Sequence, residues 1–334
     1  MLFAGVECLS DLNALGGKSV AVTGAGGYIG AVLCDALLEI GANVLRVSRG
    51  ELPPLVGMDS LRADLRKAEP WLAIVERTEI IFHLAGNTSL YAAAKHPMDS
   101  LLSTVLPINH LVTACRETGR APRVVFASTA TVYGLTKNLP VAESFRAEPV
   151  TVYDLHKLFA EQQLEMASSQ GFLDGVSLRL ANVYGPSSST SSAEDRGILN
   201  KITKMALQGG DLRLYGDGNY MRDYVYVDDV VQAFLLAGIA DSANVSGRAF
   251  NVAGGAGFTV GQAFQIVADK VNAQRGSKVQ LHQAPWPEGA DSIELRNFIA
   301  DIGALRTASG WFPCIGLEQG IDLLIAGFSR TKAQ

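Results

Sequence analysis

A glycine-rich turn between a short strand and a helix constrains this chain more than any other feature. Residues 19–23 read Ser-Val-Ala-Val-Thr, a β-branched apolar run typical of a buried strand. Residues 24–30 supply three glycines at every third position, and apolar residues then recur at helical spacing until Gly41 ends the predicted helix. Such a turn lets the backbone approach a pyrophosphate at the helix N-terminus. An ordinary αβ turn is the alternative, but the flanking strand and helix favour a dinucleotide loop. The predicted cofactor contacts in this loop are Gly24, Gly27, Tyr28, Ile29 and Gly30.

The next strand, residues 43–48, bears on which dinucleotide binds. An acidic residue at its end would bind the ribose 2′-hydroxyl of NAD, but Ser48 and Arg49 stand there. A hydroxyl beside a guanidinium suits a 2′-phosphate, so the prediction favours NADP over NAD. The alternative is that Arg49 is only a solvated loop residue. Asp64 and Leu65, after a short third strand, would flank the adenine, although Asp64 could instead cap the following helix.

Two further apolar strands end in residues that suit a ligand. The fourth, residues 79–86, ends in Leu84, Ala85 and Gly86, leaving room for a flat ring. His83 in this strand is interpreted as a partly buried histidine bonded to backbone rather than as a catalytic group. After a helix predicted over 101–118, the fifth strand, residues 123–128, leads into Thr129. Ligands of parallel sheets bind at the carboxyl ends of strands, where these residues converge.

Alternating strands and helices predict an α/β fold, a Rossmann-type doubly wound parallel sheet with a smaller C-terminal substrate-binding lobe. The dinucleotide-binding domain is expected over residues 1–180, with later elements returning to it at about 215–255. Residues 181–334 would form mainly the substrate lobe, and the Ser-rich stretch 181–196 reads as a substrate loop or lid. The further predicted elements are strands at 176–180, 212–215 and 249–252, and helices at 230–240 and 260–271.

Composition narrows the partners and the compartment. The net charge is −5 without a basic run, which argues against nucleic acid and anionic membranes. Residues 1–17 do not resemble a signal peptide, and no apolar run reaches the length of a membrane span, so a cytoplasmic protein is expected. The four cysteines are scattered, and each is predicted to sit as a small apolar residue in a reducing compartment. They are Cys8, Cys34, Cys115 and Cys314.

Tyr153 and Lys157 form the candidate proton-transfer pair. They are four residues apart in a predicted helix, so they share one face. An ammonium near a phenol favours the phenolate, and lowering a tyrosine pKa from about 10 to near neutrality takes roughly 4 kcal/mol. The spacing alone is common, and it gains weight from the dinucleotide loop and from Thr129.

These motifs together resemble the extended short-chain dehydrogenase/reductases of the nucleotide-sugar epimerase/dehydratase type. The resemblance covers nearly the whole chain and rests on residues 23–30, 82–85, 127–134, 179–186 and 216–229, with Tyr153 and Lys157. It implies that Thr129 bonds the sugar oxygen, that Tyr153 is the general acid/base, and that Lys157 binds the nicotinamide ribose. It also implies that Asn182 and Arg222 contact the diphosphate of a nucleotide sugar. A salt bridge from Arg222 to Asp223 or Asp228 is the alternative.

The chain departs from that family at several positions. Asp154 and His156 stand where the family usually has glycine and serine, and helical spacing predicts that Asp154 points away from the Tyr153/Lys157 face. Thr104 replaces the asparagine expected near the nicotinamide. A second diphosphate-binding arginine is missing near residue 290, where Arg296 could substitute.

The resemblance also bears on the reaction and the assembly. The carboxylates that dehydratases carry directly after the threonine are replaced by Ala130 and Thr131, which disfavours dehydration. A 4-epimerase working through a transient keto-sugar is the first candidate, and an NADPH-dependent 4-keto-sugar reductase is the alternative. A non-catalytic dinucleotide sensor is the candidate from another class. Family members often form homodimers through helices that would correspond to 101–118 and 153–169.

Overall fold

The computed structural model describes residues 12–192 and 197–331. The strands are β1 Ser19–Thr23, β2 Asn43–Ser48, β3 Met58–Arg62, β4 Ile80–His83, β5 Arg123–Thr129, β6 Asp174–Leu180, β7 Asn182–Tyr184, β8 Leu212–Tyr215, β9 Met221–Tyr226, β10 Arg248–Val252, β11 Gly257–Thr259 and β12 Leu281–Ala284. The helices are α1 Tyr28–Ile40, α2 Glu69–Arg77, α3 Leu90–Lys95, α4 Pro97–Thr104, α5 Leu106–Thr118, α6 Val152–Ser169, α7 Ile198–Leu207, α8 Val227–Ile239, α9 Ser242–Val245, α10 Val260–Arg275, α11 Gly303–Ser309 and α12 Leu317–Thr331. Short 3₁₀ turns occur at Asn13–Leu15, Ala130–Tyr133 and Ser292–Leu295.

A seven-stranded parallel sheet forms the centre of the molecule, in the order β10-β6-β5-β4-β1-β2-β3. The α/β Rossmann-type prediction is therefore confirmed. The strand order reverses between β1 and β4, the crevice where ligands of such sheets bind. The edge strand β10 comes from beyond residue 180, so the later chain does contribute to this sheet. The domain boundary itself stays a prediction.

Smaller sheets lie beyond the central one. Strand β9 pairs antiparallel with β11 and parallel with β7, and β12 pairs parallel with β8. Helices on both faces bury the apolar strands, and helix α8 is buried along nearly its whole length. Among the described residues, no helix is long and apolar enough to cross a membrane.

Most predicted helices and strands are present with small shifts of their ends, but one predicted helix is divided into two. The single helix expected over 101–118 is two helices, α4 and α5, separated at Val105. Pro107 explains the break, because proline lacks the N–H that would continue the helical hydrogen bonds and its ring clashes with the preceding turn.

The cysteines follow the prediction in part. Cys34 and Cys115 are buried, and burial raises the pKa of both thiols to about 12, so they behave as small apolar residues. Cys314 is exposed, contrary to expectation, because it lies in the loop before α12. Cys8, and most of the segment read as lacking a signal peptide, lie outside the described residues.

A buried ion pair joins α6 to the sheet. The Glu161 carboxylate accepts from Arg179 of β6 at 2.7 Å, and Ser128 of β5 donates to the same carboxylate. The Arg179 guanidinium also donates to the Tyr133 hydroxyl at 2.9 Å. Because each partner is desolvated, removing one leaves an uncompensated buried charge.

We expect Glu161→Ala to lower the free energy of unfolding by about 3–5 kcal/mol, because it strands the Arg179 charge in the interior. Urea unfolding followed by circular dichroism measures the loss. The matched control is Glu79→Ala, which removes an exposed pair with Lys18 at 2.7 Å and should cost about 0–1 kcal/mol. Equal losses in the two variants would show that the buried network adds nothing beyond a surface pair.

Candidate active site

A cavity of about 630 Å³ runs along the carboxyl ends of the central strands. Its size is within the range of small-molecule sites. The residues predicted to bind the cofactor all line it: Gly24, Gly27, Tyr28, Ile29, Gly30, Ser48, Arg49, Asp64, Leu65, Leu84, Ala85, Gly86, Tyr153 and Lys157. These residues therefore share one cavity, and the contacts that each makes with a ligand stay predictions.

The glycine turn has the backbone geometry that a dinucleotide needs. Gly24 has a φ of +71°, and a Cβ there would lie 2.9 Å from the backbone nitrogen of Ala85. A Cβ on Gly30 would lie 2.3 Å from the Gly24 carbonyl oxygen. The turn can therefore keep the helix N-terminus open to an anion only while these positions lack side chains.

A buried polar atom without a partner lies near Gly86, which lines the cavity. The Thr104 hydroxyl is buried and has no hydrogen-bond partner among the described residues. A Cβ on Gly86 would lie 3.7 Å from both this hydroxyl and the Lys157 ammonium. A hydroxyl and an ammonium facing the same space, above a glycine, fit the ribose and amide of a bound nicotinamide.

Another part of the cavity wall, where the sequence predicts the adenosine, is formed by the residues after β2 and β3. Arg49 is exposed and forms no hydrogen bond or ion pair with another described residue, so its guanidinium is available. Asp64 pairs with Arg66 at 2.6 Å, and this hydrogen-bonded partner lowers the pKa of Asp64 to about 2. The idea that Asp64 caps the next helix was wrong, since α2 begins after Ala68.

The candidate catalytic residues meet where β5 ends. Thr129 is the last residue of β5 and is buried, while Tyr153 and Lys157 lie on successive turns of α6. The Lys157 ammonium donates to the Ala127 carbonyl oxygen at 2.6 Å and lies 6.0 Å from the centre of the Tyr153 ring. Thr151 caps α6 by accepting from the Asp154 backbone N–H, which fixes where the helix begins.

The pKa of Tyr153 is shifted opposite to the expected direction. Burial raises it well above the usual value, the neighbouring Asp154 charge raises it further, and interaction with the Thr129 hydroxyl lowers it. Burial also lowers the pKa of Lys157 to about 8. Desolvation therefore sets the direction of the shift, and the expected fall of the Tyr153 pKa was wrong.

Asp154 is hydrogen-bonded to the turn that follows Thr129 and does not line the cavity, and the prediction that it points away from the Tyr153/Lys157 face stays a prediction. It is buried, and its carboxylate accepts from Thr131 and, at 2.8 Å, from Thr151. Thr131 in turn is hydrogen-bonded to Thr129 at 2.8 Å. Sequence reasoning missed Thr131 as a site residue, although its position two residues after Thr129 on the same turn was a usable signal.

His83 and His156 are both structural in this protein. His83 is completely buried, bonds the Thr23 hydroxyl at 2.7 Å rather than backbone, and stacks on Phe126. Burial lowers its pKa to about 3, so the ring is neutral. His156 bonds the Ser100 hydroxyl at 2.9 Å, which holds α6 against α4.

Of the residues expected to contact the substrate, Thr129 lines the cavity, whereas Asn182 and Arg222 lie outside it. Asn182 donates to the Asp223 carbonyl oxygen at 2.9 Å. Arg222 forms neither of the salt bridges considered, and instead donates to the carbonyl oxygens of Met221 at 3.0 Å, of Glu294 at 2.6 Å, and of Arg296. Its donors are therefore largely used within the protein. The contacts of both residues with a diphosphate stay predictions.

The Ser-rich stretch after β7 lies on the glycine turn. The Ser192 backbone N–H and hydroxyl both donate to the Gly26 carbonyl oxygen at 3.0 Å, and Ser188 donates to Asp35 at 2.6 Å. The described part of this stretch thus packs against the glycine turn, and its Ser192 lines the cavity. Residues 193–196 of the predicted lid lie outside the described residues.

Comparisons with known proteins agree with this geometry. Residues 20–253 match the family described as the NAD dependent epimerase/dehydratase family. The chain is 30% identical to the UDP-glucose 4-epimerase of Mycolicibacterium smegmatis, over 94% of this chain and 99% of that protein. It is 28% identical to the 2-alkyl-3-oxoalkanoate reductase of Stenotrophomonas maltophilia, over 92% and 98%.

A solved structure gives the same picture. The UDP-glucose 4-epimerase of Thermotoga maritima, determined with UDP-glucose, superposes with a TM-score of 0.83 at 29% identity, covering 94% of this chain and 99% of that one.

We expect Gly30→Ala to weaken dinucleotide binding by about tenfold or more, since overpacking the turn against Gly24 costs about 1–3 kcal/mol. Isothermal titration calorimetry with NAD and with NADP measures the affinity. Gly316→Ala is the control, because a Cβ there meets no atom within 4 Å. Unchanged binding in Gly30→Ala would place the dinucleotide elsewhere.

Proposed function

Because this chain belongs to the NAD dependent epimerase/dehydratase family, we propose that it is a 4-epimerase of a nucleotide-activated sugar. The observation that carries the proposal is the meeting of Thr129, Tyr153 and Lys157 at one end of a cavity whose other walls are the dinucleotide loop and strand ends. The residues directly after Thr129 are Ala130 and Thr131, neither of which could remove a C5 proton as a carboxylate would. Epimerisation therefore fits the site better than dehydration.

The residues present fit a bound dinucleotide. The α1 N-terminus and the glycine turn would hold the pyrophosphate, while Lys157 and the unpartnered Thr104 hydroxyl face the ribose and nicotinamide end. The bound dinucleotide supplies a reversible acceptor for the hydride at the sugar's C4.

Tyr153 is the proposed acid and base. Thr129 would orient the sugar's 4-hydroxyl, and the Tyr153 phenolate would take its proton as C4 becomes a carbonyl carbon. After the keto-sugar turns over in the site, the Tyr153 phenol returns the proton to the same oxygen. Burial places the Tyr153 pKa too high for this in the ligand-free protein, so formation of the phenolate depends on positive charge. Lys157, with a pKa of about 8, carries that charge at neutral pH.

A 4-keto-sugar reductase is the second candidate, and one observation favours it. Ser48 and the unengaged guanidinium of Arg49 stand where an NAD-binding carboxylate is expected, and this pair suits a 2′-phosphate. A reductase would consume NADPH and use the same three catalytic side chains.

A homodimer is the proposed assembly. Helix α6 presents apolar side chains to solvent, with Leu155 37% exposed, Phe159 40% and Met166 63%. Apolar residues clustered on one exposed helix commonly mark a protein interface. We also propose a cytoplasmic location, because a reducing compartment suits the free thiols of Cys34 and Cys115.

We expect Tyr153→Phe to lower kcat for a UDP-sugar by about 10²–10⁴-fold, which is the usual contribution of a general acid/base. Cofactor affinity should stay unchanged, because the ring remains. A coupled assay for the epimerised sugar and calorimetry with NAD measure the two quantities. Tyr215→Phe, at a partly exposed tyrosine away from the cavity, is the control. Full activity in Tyr153→Phe would favour a non-catalytic dinucleotide sensor.

The choice of dinucleotide is tested at Arg49. If its guanidinium binds a 2′-phosphate, Arg49→Ala should weaken NADP binding by about tenfold or more, the worth of a charge-assisted hydrogen bond. NAD binding should not change. Titration calorimetry with both nucleotides decides, and tighter binding of NAD than NADP to the wild type would reject the tilt to NADP and favour the epimerase.

A further inference from the structure

Asp64 and Arg66, two residues of the cavity wall, form an ion pair that the mechanism above does not use. The Arg66 Nε donates to both carboxylate oxygens of Asp64, at 2.9 and 3.0 Å, and Nη2 donates to Oδ2 at 2.6 Å. The Arg66 backbone N–H donates to Oδ1 at 3.1 Å. An ionised carboxylate has about four lone-pair sites, so Arg66 fills most of the accepting capacity of Asp64.

This pair lies beside the end of β2, where the sequence predicts the adenosine ribose. The Ala63 backbone N–H donates to the Ser48 carbonyl oxygen at 2.9 Å, so Asp64 directly follows a residue that is bonded to the last residue of β2. Arg49 is near enough to Asp64 that its charge contributes to lowering the carboxylate pKa. A 2′-phosphate bound by Ser48 and Arg49 would therefore lie within the field of the Asp64 charge.

A carboxylate without a partner at this position would repel a 2′-phosphate, which carries about two negative charges. The Arg66 guanidinium cancels the charge of Asp64, so the guanidinium of Arg49 leaves this part of the cavity wall positive. Without Arg66, the Asp64 carboxylate would be free to accept from ribose hydroxyls. A carboxylate in that role is what NAD-binding sites of this fold use.

The backbone around the pair is held by contacts that involve neither of its side chains. Trp71 donates its indole N–H to the Leu65 carbonyl oxygen at 3.0 Å, and the His110 ring is hydrogen-bonded to the Arg66 carbonyl oxygen at 3.2 Å. The Arg66 backbone N–H would also still donate to Asp64 after a side-chain replacement. A substitution at Arg66 therefore removes its charge while Asp64 keeps its place.

We propose that Arg66 is a specificity-determining residue for the dinucleotide, which masks the Asp64 carboxylate and so allows the site to accept a 2′-phosphate. Loss of the mask shifts the preference of the site from NADP towards NAD. The inference rests on the proposed function only in that the cavity binds a dinucleotide, and it holds for an epimerase and for a reductase alike.

The test compares nucleotides that differ only in the 2′-phosphate. Isothermal titration calorimetry of the full chain uses NADP against NAD, and 2′,5′-ADP against 5′-AMP as probes of the adenosine part alone. Arg66→Ala should weaken NADP and 2′,5′-ADP binding by about tenfold at low ionic strength, because the phosphate then meets an uncovered carboxylate. Binding of NAD and 5′-AMP should not weaken. At about 1 M salt, where charges are screened within about 3 Å, most of the loss should disappear.

Asp64→Asn separates masking from direct contact between Arg66 and the phosphate. In that background there is no charge to mask, so adding Arg66→Ala should change NADP affinity by less than about twofold. A double variant as weak as Arg66→Ala overturns the proposal. The phosphate would then be bound by Arg66 itself, or repelled by Asp99 of α4, whose charge also reaches Arg66. If Arg66→Ala does not fold, judged by thermal unfolding, Arg66→Gln removes the same charge.

Arg77→Ala is the matched control. It breaks an exposed arginine–aspartate pair of the same kind, with Asp59 at 3.0 Å, and neither residue is among those that line the cavity. NADP affinity should not change in this variant, and a loss equal to that of Arg66→Ala overturns the proposal. A wild type that binds neither dinucleotide refutes this inference together with the proposed function. A wild type that binds dinucleotides but converts no nucleotide sugar refutes the proposed function alone, because the calorimetry needs no turnover.

Discussion

The bond from the Lys157 ammonium to the Ala127 carbonyl oxygen fixes helix α6, which carries the candidate Tyr153, against the sheet. An ammonium removed from water loses its charge unless it finds partners, and burial has already lowered the Lys157 pKa to about 8. The carbonyl at 2.6 Å and the Phe126 ring face, with its centre 4.7 Å away, replace part of the lost hydration. Since β5 is held between β4 and β6, this bond sets the height of α6 relative to the strand ends. The position of Tyr153 beside Thr129 follows from it.

One face of α6 carries both the chemistry and its support. Tyr153, Lys157 and Glu161 are spaced by four residues, so they occupy successive turns of the same face. Tyr153 and Lys157, on the first two of these turns, line the cavity. Glu161, on the third turn, forms an ion pair with Arg179 and accepts a hydrogen bond from Ser128. The strand β5 therefore contacts all three levels, through Thr129, Ala127 and Ser128.

The parts of the fold that sequence predicted best are those set by local physical rules. Strands β1, β2 and β8 have the predicted bounds because short apolar runs lay between glycines or turns. The predicted cofactor residues line one cavity, because the carboxyl ends of parallel strands share one edge.

The sequence could not show how far burial and nearby charges would shift each pKa. The Tyr153 pKa was expected to fall because the helical spacing places the Lys157 ammonium nearby. The spacing does not show that the phenol is removed from water, and this burial raises the pKa. The hydrogen-bond partners of the Arg222 and His83 side chains were missed for a related reason. The Glu294 carbonyl oxygen and the Thr23 hydroxyl come from distant segments of the sequence.

The chain departs from the family pattern at Asp154, next to Tyr153, and at Arg296, which stands in for the expected later arginine. Arg222 connects these two positions. A charged Asp154 inside the active site would be costly to bury without a compensating cation. Arg222 spends its donors on the carbonyl oxygens of Glu294 and Arg296, which holds the 292–296 turn over the site. That turn brings the Arg296 guanidinium near Asp154, where its charge offsets part of the rise in the carboxylate pKa that burial causes. The aspartate beside the catalytic tyrosine and the arginine in the later turn therefore stabilise each other, and Arg222 is the residue that brings them together. Replacing either one alone would remove one compensating charge from the other, while Asp154 would keep its hydrogen bonds from Thr131 and Thr151, and Arg296 would keep the nearby Glu294.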